Sequence, residues 1–406
     1  MTFFEDNMKL LLSQFPTYRP WAEAMSLWAI ACASPNAYLP GGGRGVPLTF
    51  NPWAVGPSRL GFKSLVLNAQ TDIIIDAGIP EIPPRMTVEA TYKYIADNAI
   101  THGFISRDET AGLILETRKT YAADELSFLC ELLDGRIRPR VTITHGPTPR
   151  MNIRANFASA CTPYVFGLID EGFWVQGVGN RLVPIYWMPS IKEQYGQPFD
   201  VDEMNWEYGC ESAAAKLAKI YNSNVSRISF DNDDDAHTVD IMRYTEYRSR
   251  LEGYDTYFRD KWDITSAYKY ECQMFKKKVA ALRAVDRVEG EGEVHVKRAD
   301  YDWASAWMDA RLVEFGVMYD DWKEFQTRAK MKTVALTAGE LILKVLNEKG
   351  GTMTKSALNN ALCSKMDANT KNQALVSLTL EGRIDVQTVE GATKPTSVIT
   401  VRQVQG

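Results

Sequence analysis

Apolar and polar positions alternate in three different rhythms along the chain. Residues 18 to about 34 are apolar on nearly every face, with Pro20 inside the first turn, which predicts a buried helix. LTFNPWAV then supplies a continuous apolar run of strand length, and the glycine-rich stretch after it opens a helix near Ser64. DIIIDAG is the next expected strand, followed by proline-rich IPEIPP and a helix over MTVEATYKYIADNAI. GFISR is a short strand that ends on Asp108 and Glu109, and RVTIT, MNIRANFASA and RLVPIYW complete the strand set.

Beyond residue 200 the rhythm changes to long helical patterns rich in Tyr, Trp, Lys and Glu, interrupted by DNDDDAH, read as a solvated loop, and EGEGEVH. After residue 335 two helices, a third, and two strands around a Gly/Pro turn follow in the order of a winged helix-turn-helix. The expected organisation is therefore an N-terminal helical segment (1–45), an α/β core with a largely parallel sheet (46–200), a helical lid (201–333) and a winged-helix domain (334–406).

Composition narrows the classes. With 45% hydrophobic and 24% charged residues the chain is an ordinary globular protein, and 406 residues suffice for two or three domains. The apolar segment WAEAMSLWAIACAS falls short of the roughly 20 residues of a membrane span and carries Glu23. No basic, apolar and small-residue succession of a signal peptide is read at MTFFEDNMKLLLSQF. Six scattered cysteines without a C-x-x-C pair predict free thiols in a reducing, cytoplasmic setting, and neither they nor the four histidines have zinc spacing. A net charge of −5 repels phosphate overall, so any nucleic acid must meet a local basic surface; the segment from 335 onward has eight Lys/Arg against six Asp/Glu.

The candidate chemistry starts at GPSRLGFKS. A phosphate-binding loop needs backbone N–H groups, a lysine and a hydroxyl between a strand and a helix. Gly56, Pro57, Ser58, Arg59, Leu60, Gly61, Phe62, Lys63 and Ser64 supply these types with the register displaced by one, since Phe62 intrudes before Lys63. An ordinary Gly/Pro turn is the alternative. Such a loop works with carboxylates at a neighbouring strand end, and two candidates compete: Asp76, which leaves barely enough chain after Lys63 for a crossover helix and a returning strand, and the favoured pair Asp108–Glu109. Asp108 with Ser64 would bear on Mg²⁺ and Glu109 would polarise the attacking water; acids at a helix N-terminus are the competing reading. Arg136, Arg138, Arg140, Arg150 and Arg154 follow with no acid between them, on a hairpin-like segment suited to gripping phosphates or to solvent exposure alone. In the third C-terminal helix Lys371, Asn372 and Gln373 are expected near base edges and Lys394 on phosphate, unless the unit docks protein.

The succession SRLGFKS, RDET, LCELLDG, NFASACTPYVF and GVGNRLVPIYW resembles helicase-like ATPases of the AAA+ class from phages, plasmids and archaeal elements and, more distantly, minichromosome-maintenance helicases, over about residues 20 to 310. The resemblance implies a P-loop core that hydrolyses ATP with Mg²⁺, Thr162 sensing the γ-phosphate, and Arg181 acting as an arginine finger on a neighbouring subunit. A finger in trans requires head-to-tail assembly, with a homo-hexameric ring as the family's habit, the arginine hairpin holding single-stranded DNA in the pore and the winged helix on duplex. A DNA motor, helicase or translocase, is thus expected; an ATP-binding regulator and a loader are the rivals. The cluster Lys276 to Lys278 is expected to be an exposed helix face.

Overall fold

The computed structural model describes residues 2–15, 17–40, 45–57, 62–84, 86, 88–111, 114, 125–139, 141–142, 146–147, 150–169, 173–174, 177–187, 205–230, 262–288, 292–362, 366–389 and 396–402. They divide into two compact units, Met1–Tyr319 and Asp320–Gly406. No helix among the described residues is long and apolar enough to cross a membrane.

The first unit is mixed α/β. Helices α1 (Phe3–Gln14) and α2 (Arg19–Cys32) lead to strands β1 (Tyr38–Leu39), β2 (Val46–Pro47) and β3 (Pro52–Val55). Helix α2 buries every residue from Trp21 to Cys32, as its unbroken apolar surface predicts. Then come α3 (Lys63–Asp76), α4 (Val88–Asp97), β4 (His102–Arg107), α5 (Glu125–Leu133), β5 (Val141–Thr142), β6 (Gly146–Pro147), β7 (Arg154–Cys161) and β8 (Val183–Tyr186). Four strands form a wholly parallel sheet in the order β4-β7-β3-β8. Residues 80–82 run parallel beside β4, with Ile82 N–H donating to Phe104 O (2.8 Å) and Phe104 N–H to Pro80 O (3.2 Å). Gly103 makes this approach feasible, because a Cβ there would stand 2.8 Å from Pro80 O.

The expected strand at DIIIDAG is instead the last turn of α3, a single 14-residue helix ending at Asp76. Short sequence runs of Ile and Asp do not separate strand from buried helix, and here Ile73 and Ile74 pack inward while Ile75 is exposed. The floor of the sheet is cross-linked by two buried asparagines: Asn51 Oδ1 accepts from Phe157 N–H and Asn156 Oδ1 from Phe50 N–H, both at 2.9 Å.

The stretch expected to be a purely helical lid contains α6 (Trp206–Asn222), β9 (Arg227–Phe230), α7 (Trp262–Val285) and β10 (Glu293–Val296). Strands β9 and β10 pair in parallel and join β1 and β2 in a second sheet, order β10-β9-β1-β2. The acidic run DNDDDAH lies outside the described residues. Lys276 is buried, not exposed, and pairs with Asp309 at 2.6 Å, while Lys278 Nζ donates to Thr49 Oγ1 at 3.0 Å.

Helix α8 (Arg298–Glu348) supplies residues to both units. In the second, it is followed by β11 (Thr352–Thr354), α9 (Lys355–Leu362), α10 (Ala368–Leu380), β12 (Ile384–Val389) and β13 (Thr396–Val401), with an antiparallel sheet in the order β11-β13-β12. Ile342, Leu346, Leu358, Leu362, Ala374 and Ile399 form the centre of its core. Asp367 starts α10 by accepting from the Asn369 and Thr370 N–H groups at 2.9 Å.

Candidate functional site

Because all four strands of the first sheet are parallel, their carboxyl ends share one edge. Strand β3 ends into Gly56 and α3, β4 into Asp108 and Glu109, and β7 into Thr162. The connection leaving β3 runs toward β4 and that leaving β7 runs toward β8, so the two adjacent strands open a crevice at a topological switch point. Ligands in open parallel sheets bind at such places.

Gly56 N–H donates to Cys161 O (3.2 Å), and a Cβ on Gly56 would meet Trp187 O at 2.9 Å, so the chain passes where only glycine fits. Phe62, immediately before the lysine, has φ +47° and ψ +21°. This left-handed conformation suits glycine and costs a bulky residue roughly 1–2 kcal/mol. The loop thus keeps a glycine-like backbone while carrying a phenylalanine. Lys63 Nζ donates to Pro57 O at 2.6 Å, and Trp21 Nε1 donates to Lys63 O at 3.2 Å, tying the start of α3 to α2. Ser64 is half-buried in the same first turn. Ser58, Arg59, Leu60 and Gly61 lie outside the described residues.

Burial lowers the Lys63 pKa, opposed by the carboxylates of Glu109 and Asp108, which lie near enough to act on the ammonium. Glu109 is raised, chiefly by partial desolvation; the Ala111 N–H bond (3.2 Å) opposes this, Asp108 adds to it and Lys63 offsets it. Burial also pushes the Cys161 thiol far up, so it is uncharged at neutral pH. Asp76, the competing carboxylate, sits at the far end of α3, about 20 Å along the axis from Lys63. The tertiary structure therefore gathers Lys63 with Asp108 and Glu109 and excludes Asp76.

The acidic pair is held by a relay that sequence reading missed. Trp53 Nε1 donates to Thr110 Oγ1 (3.0 Å), the Thr110 and Ser159 hydroxyls lie 2.5 Å apart, and Ser159 donates to Arg107 O (2.7 Å). Since Ser159 spends its proton on Arg107 O, Thr110 must donate to Ser159, which fixes the direction of the whole chain. Three strands are thereby locked around the residues flanking Asp108 and Glu109. Ser106 and Arg107, polar at positions that look unsuited to a buried strand, are also satisfied: Thr71 Oγ1 donates to Ser106 Oγ (2.8 Å) and Arg107 Nη1 donates to Pro84 O (3.0 Å). Thr162 lies at the tip of β7, half-buried, ahead of the 3₁₀ turn Pro163–Gly167, and caps no backbone group.

Arg181 stands at the opposite, amino edge, one residue from the loop into β8. Its guanidinium forks onto Asp134 (Nε–Oδ1 2.6 Å, Nη2–Oδ2 2.7 Å), and Nη1 donates to Gly177 O (2.8 Å). The acid partnering it is thus Asp134.

The arginine segment does double back. Ile137 and Met151 exchange both backbone bonds (2.9 and 3.1 Å), and β5 pairs antiparallel with β6. Arg136, Arg138 and Arg150 are exposed on it; Arg138 approaches Glu131 at 3.8 Å, and Arg140 lies outside the described residues. In the second unit Asn372 and Gln373 are exposed on α10, but Lys371 is buried with Nζ directed at Asn359 O (3.4 Å), so it does not present its charge to a nucleic acid. Helical periodicity accounts for this correction, since position 371 shares a face with the buried Ala374, Leu375 and Leu378. Lys394 is outside the described residues.

Among the described residues no group of three or more His, Cys, Asp and Glu comes together so as to hold a metal ion. Comparison with protein-family models gives no match, and neither does comparison with curated proteins.

Proposed function

We propose that the first unit is a P-loop ATPase of the AAA+ helicase-like kind and that the protein is an ATP-driven DNA motor, helicase or translocase, of a mobile element. The observation carrying this reading is the meeting of Lys63 with Asp108 and Glu109 at the switch point of a parallel sheet, behind a loop whose Phe62 keeps a left-handed backbone. Backbone N–H groups around Gly56 and the start of α3, with the Lys63 ammonium, would bind the triphosphate. The donor set fits Mg²⁺ of the nucleotide type, one hydroxyl (Ser64) and one carboxylate (Asp108), with the phosphates supplying the remaining oxygens. The ion would neutralise phosphate charge.

Glu109, whose pKa burial raises, would accept the proton of the attacking water in its ionised form, and the Trp53–Thr110–Ser159 relay fixes its neighbours Thr110 and Arg107. Thr162 at the adjacent strand tip would report the γ-phosphate. Arg181 would serve a neighbouring subunit in a homo-oligomeric ring, six in number by family habit, after release from Asp134. The hairpin bearing Arg136, Arg138 and Arg150 would grip single-stranded DNA. The element order of the second unit supports a winged helix that meets duplex DNA through Asn372 and Gln373.

One observation favours a second reading of that unit. The outward face of α10 carries Val376 (60% exposed) and Leu380 (84% exposed), and its lysine is buried, which suits docking on a protein better than on phosphates. Steady-state ATP hydrolysis with and without single-stranded DNA, together with calorimetry of magnesium-ATP binding, tests the main reading. Turnover stimulated by single strands and lost in Lys63→Ala is expected; absence of binding heat would end the ATPase reading, and turnover indifferent to DNA would end the motor.

A further inference from the structure

At the amino edge of the parallel sheet, away from Lys63, a polar cavity of about 240 Å³ opens between β1, β4, β7 and the base of the hairpin. It is smaller than the roughly 300–1,000 Å³ of pockets that enclose whole drug-sized ligands, so it suits a single charged group. Its walls include Tyr38, His102, Arg136, Asn152 and Arg154.

Among the described residues, two cations there have no counterion. Arg154 lies flat over the Tyr38 ring, 3.8 Å from its centroid, and its Nη1 is fully buried without a hydrogen-bond partner among the described residues. Arg136 is exposed at the rim and forms no ion pair among the described residues. The acid in the wall, Asp134, is taken up by the Arg181 fork. His102 contributes no charge: burial, then the positive Arg154, lowers its pKa, and its ring bonds the Tyr221 hydroxyl at 2.7 Å and Thr101 Oγ1 at 3.3 Å. A guanidinium stacked on an aromatic ring is preorganised for oxyanions, and a buried donor without an acceptor is costly to maintain.

We propose that this cavity is a phosphate-binding pocket in which Arg154 and Arg136 take the oxyanions of one phosphate group, with Asn152 and Tyr38 beside it. The phosphate belongs either to a single-stranded nucleic acid running along the hairpin or to free inorganic phosphate. The pocket and the Lys63 loop lie on opposite edges of the sheet, so a failure to bind magnesium-ATP leaves this assignment untouched.

Two measurements on the full chain test it. Anisotropy of a labelled oligo-dT strand is followed over a salt series for wild type, Arg154→Gln, Arg136→Gln and the remote surface control Arg298→Gln. The His102 ring resonance is followed by NMR during titration with inorganic phosphate at constant ionic strength. Loss of about five- to tenfold in oligo-dT affinity in both pocket variants but not the control, with a salt slope shallower by about 0.7 per lost phosphate contact, assigns the nucleic-acid backbone. A phosphate-dependent His102 shift that disappears in Arg154→Gln, with oligo-dT affinity unchanged, assigns free phosphate. Unchanged affinity and an unmoved His102 together overturn the pocket. Should Arg154→Gln fail to fold, exposed Arg136→Gln carries both measurements.

Discussion

At the carboxyl edge of the parallel sheet, Lys63 is partly desolvated yet lies within reach of Asp108 and Glu109. At the amino edge, the charges are mostly arginines: Arg181 is satisfied by a two-pronged bond to Asp134, while Arg154 rests on Tyr38 with no acid beside it among the described residues. The difference teaches how one sheet keeps two kinds of charged surface. At Lys63, carboxylates stand near the ammonium but do not lock it, and its direct bond is to the Pro57 carbonyl. At Arg181, an acid fixes both prongs of the fork.

The comparison breaks most sharply at Lys63. Lys63→Ala should lower ATP turnover by about 10²-fold or more and abolish magnesium-ATP binding heat. The protein should nonetheless remain folded at neutral pH. A lysine whose folded pKa is lowered destabilises the fold at pH values below that pKa, and its stabilising share appears only on the alkaline side. A melting scan that shows collapse of the variant would instead make Lys63 a structural residue.

Glu109→Gln should reduce turnover by about 10²–10³-fold with ATP affinity retained, since only the proton acceptor is lost. In wild type the acid limb of the rate profile should lie above the usual carboxylate range, because partial desolvation raises Glu109 and the base must be ionised to work. The stability sign is opposite. A raised carboxylate contributes stability below its unfolded pKa and loses it as pH rises through the folded pKa, so the glutamine variant should melt no lower than wild type at neutral pH. A pH–rate profile without that displaced limb would remove Glu109 from the proton-accepting role.

At the amino edge, Arg181→Ala and Asp134→Ala both break the same pair and should each cost on the order of 1 kcal/mol, the range of partly exposed pairs, read from chemical denaturation. They part in activity. If Arg181 works in trans, its alanine variant loses about 10²-fold in turnover by the assembled protein, whereas Asp134→Ala, which frees the guanidinium, does not. Equal and small activity losses in both would make Arg181 structural only.

Phe62→Gly is the smallest test. Relief of the left-handed strain and the added chain entropy of glycine nearly offset each other, so stability should stay within about 1 kcal/mol and ATP affinity should not fall. Affinity lost by tenfold in calorimetry would show that the ring, rather than the backbone, shapes the loop.

Much of this architecture was legible beforehand. The nearly all-apolar surface of residues 21 to 32 announced a buried helix, LTFNPWAV a strand, and the arginines after Asp134 a hairpin, because each signal is local in sequence. Where reading failed, the deciding contacts were distant. DIIIDAG is helical since it continues α3, and its alternation carries too few residues to say so. Lys276 looks like part of a solvated run until Asp309 on another helix is brought beside it, and Lys371 until its helix face is seen to turn inward.

What the sequence determined alone was the inventory and the order: a glycine-lysine loop after a strand, an acidic pair at a later strand end, a run of arginines, and a helical tail ending in two strands. The tertiary structure decided which of two carboxylates faces the lysine, why polar Ser106 and Arg107 are tolerated, and which arginine stacks on Tyr38. The reason is physical. Periodicity and turn chemistry act over a few residues, whereas desolvation, parallel register and the pairing of buried charge depend on strands brought together across tens of residues of intervening chain.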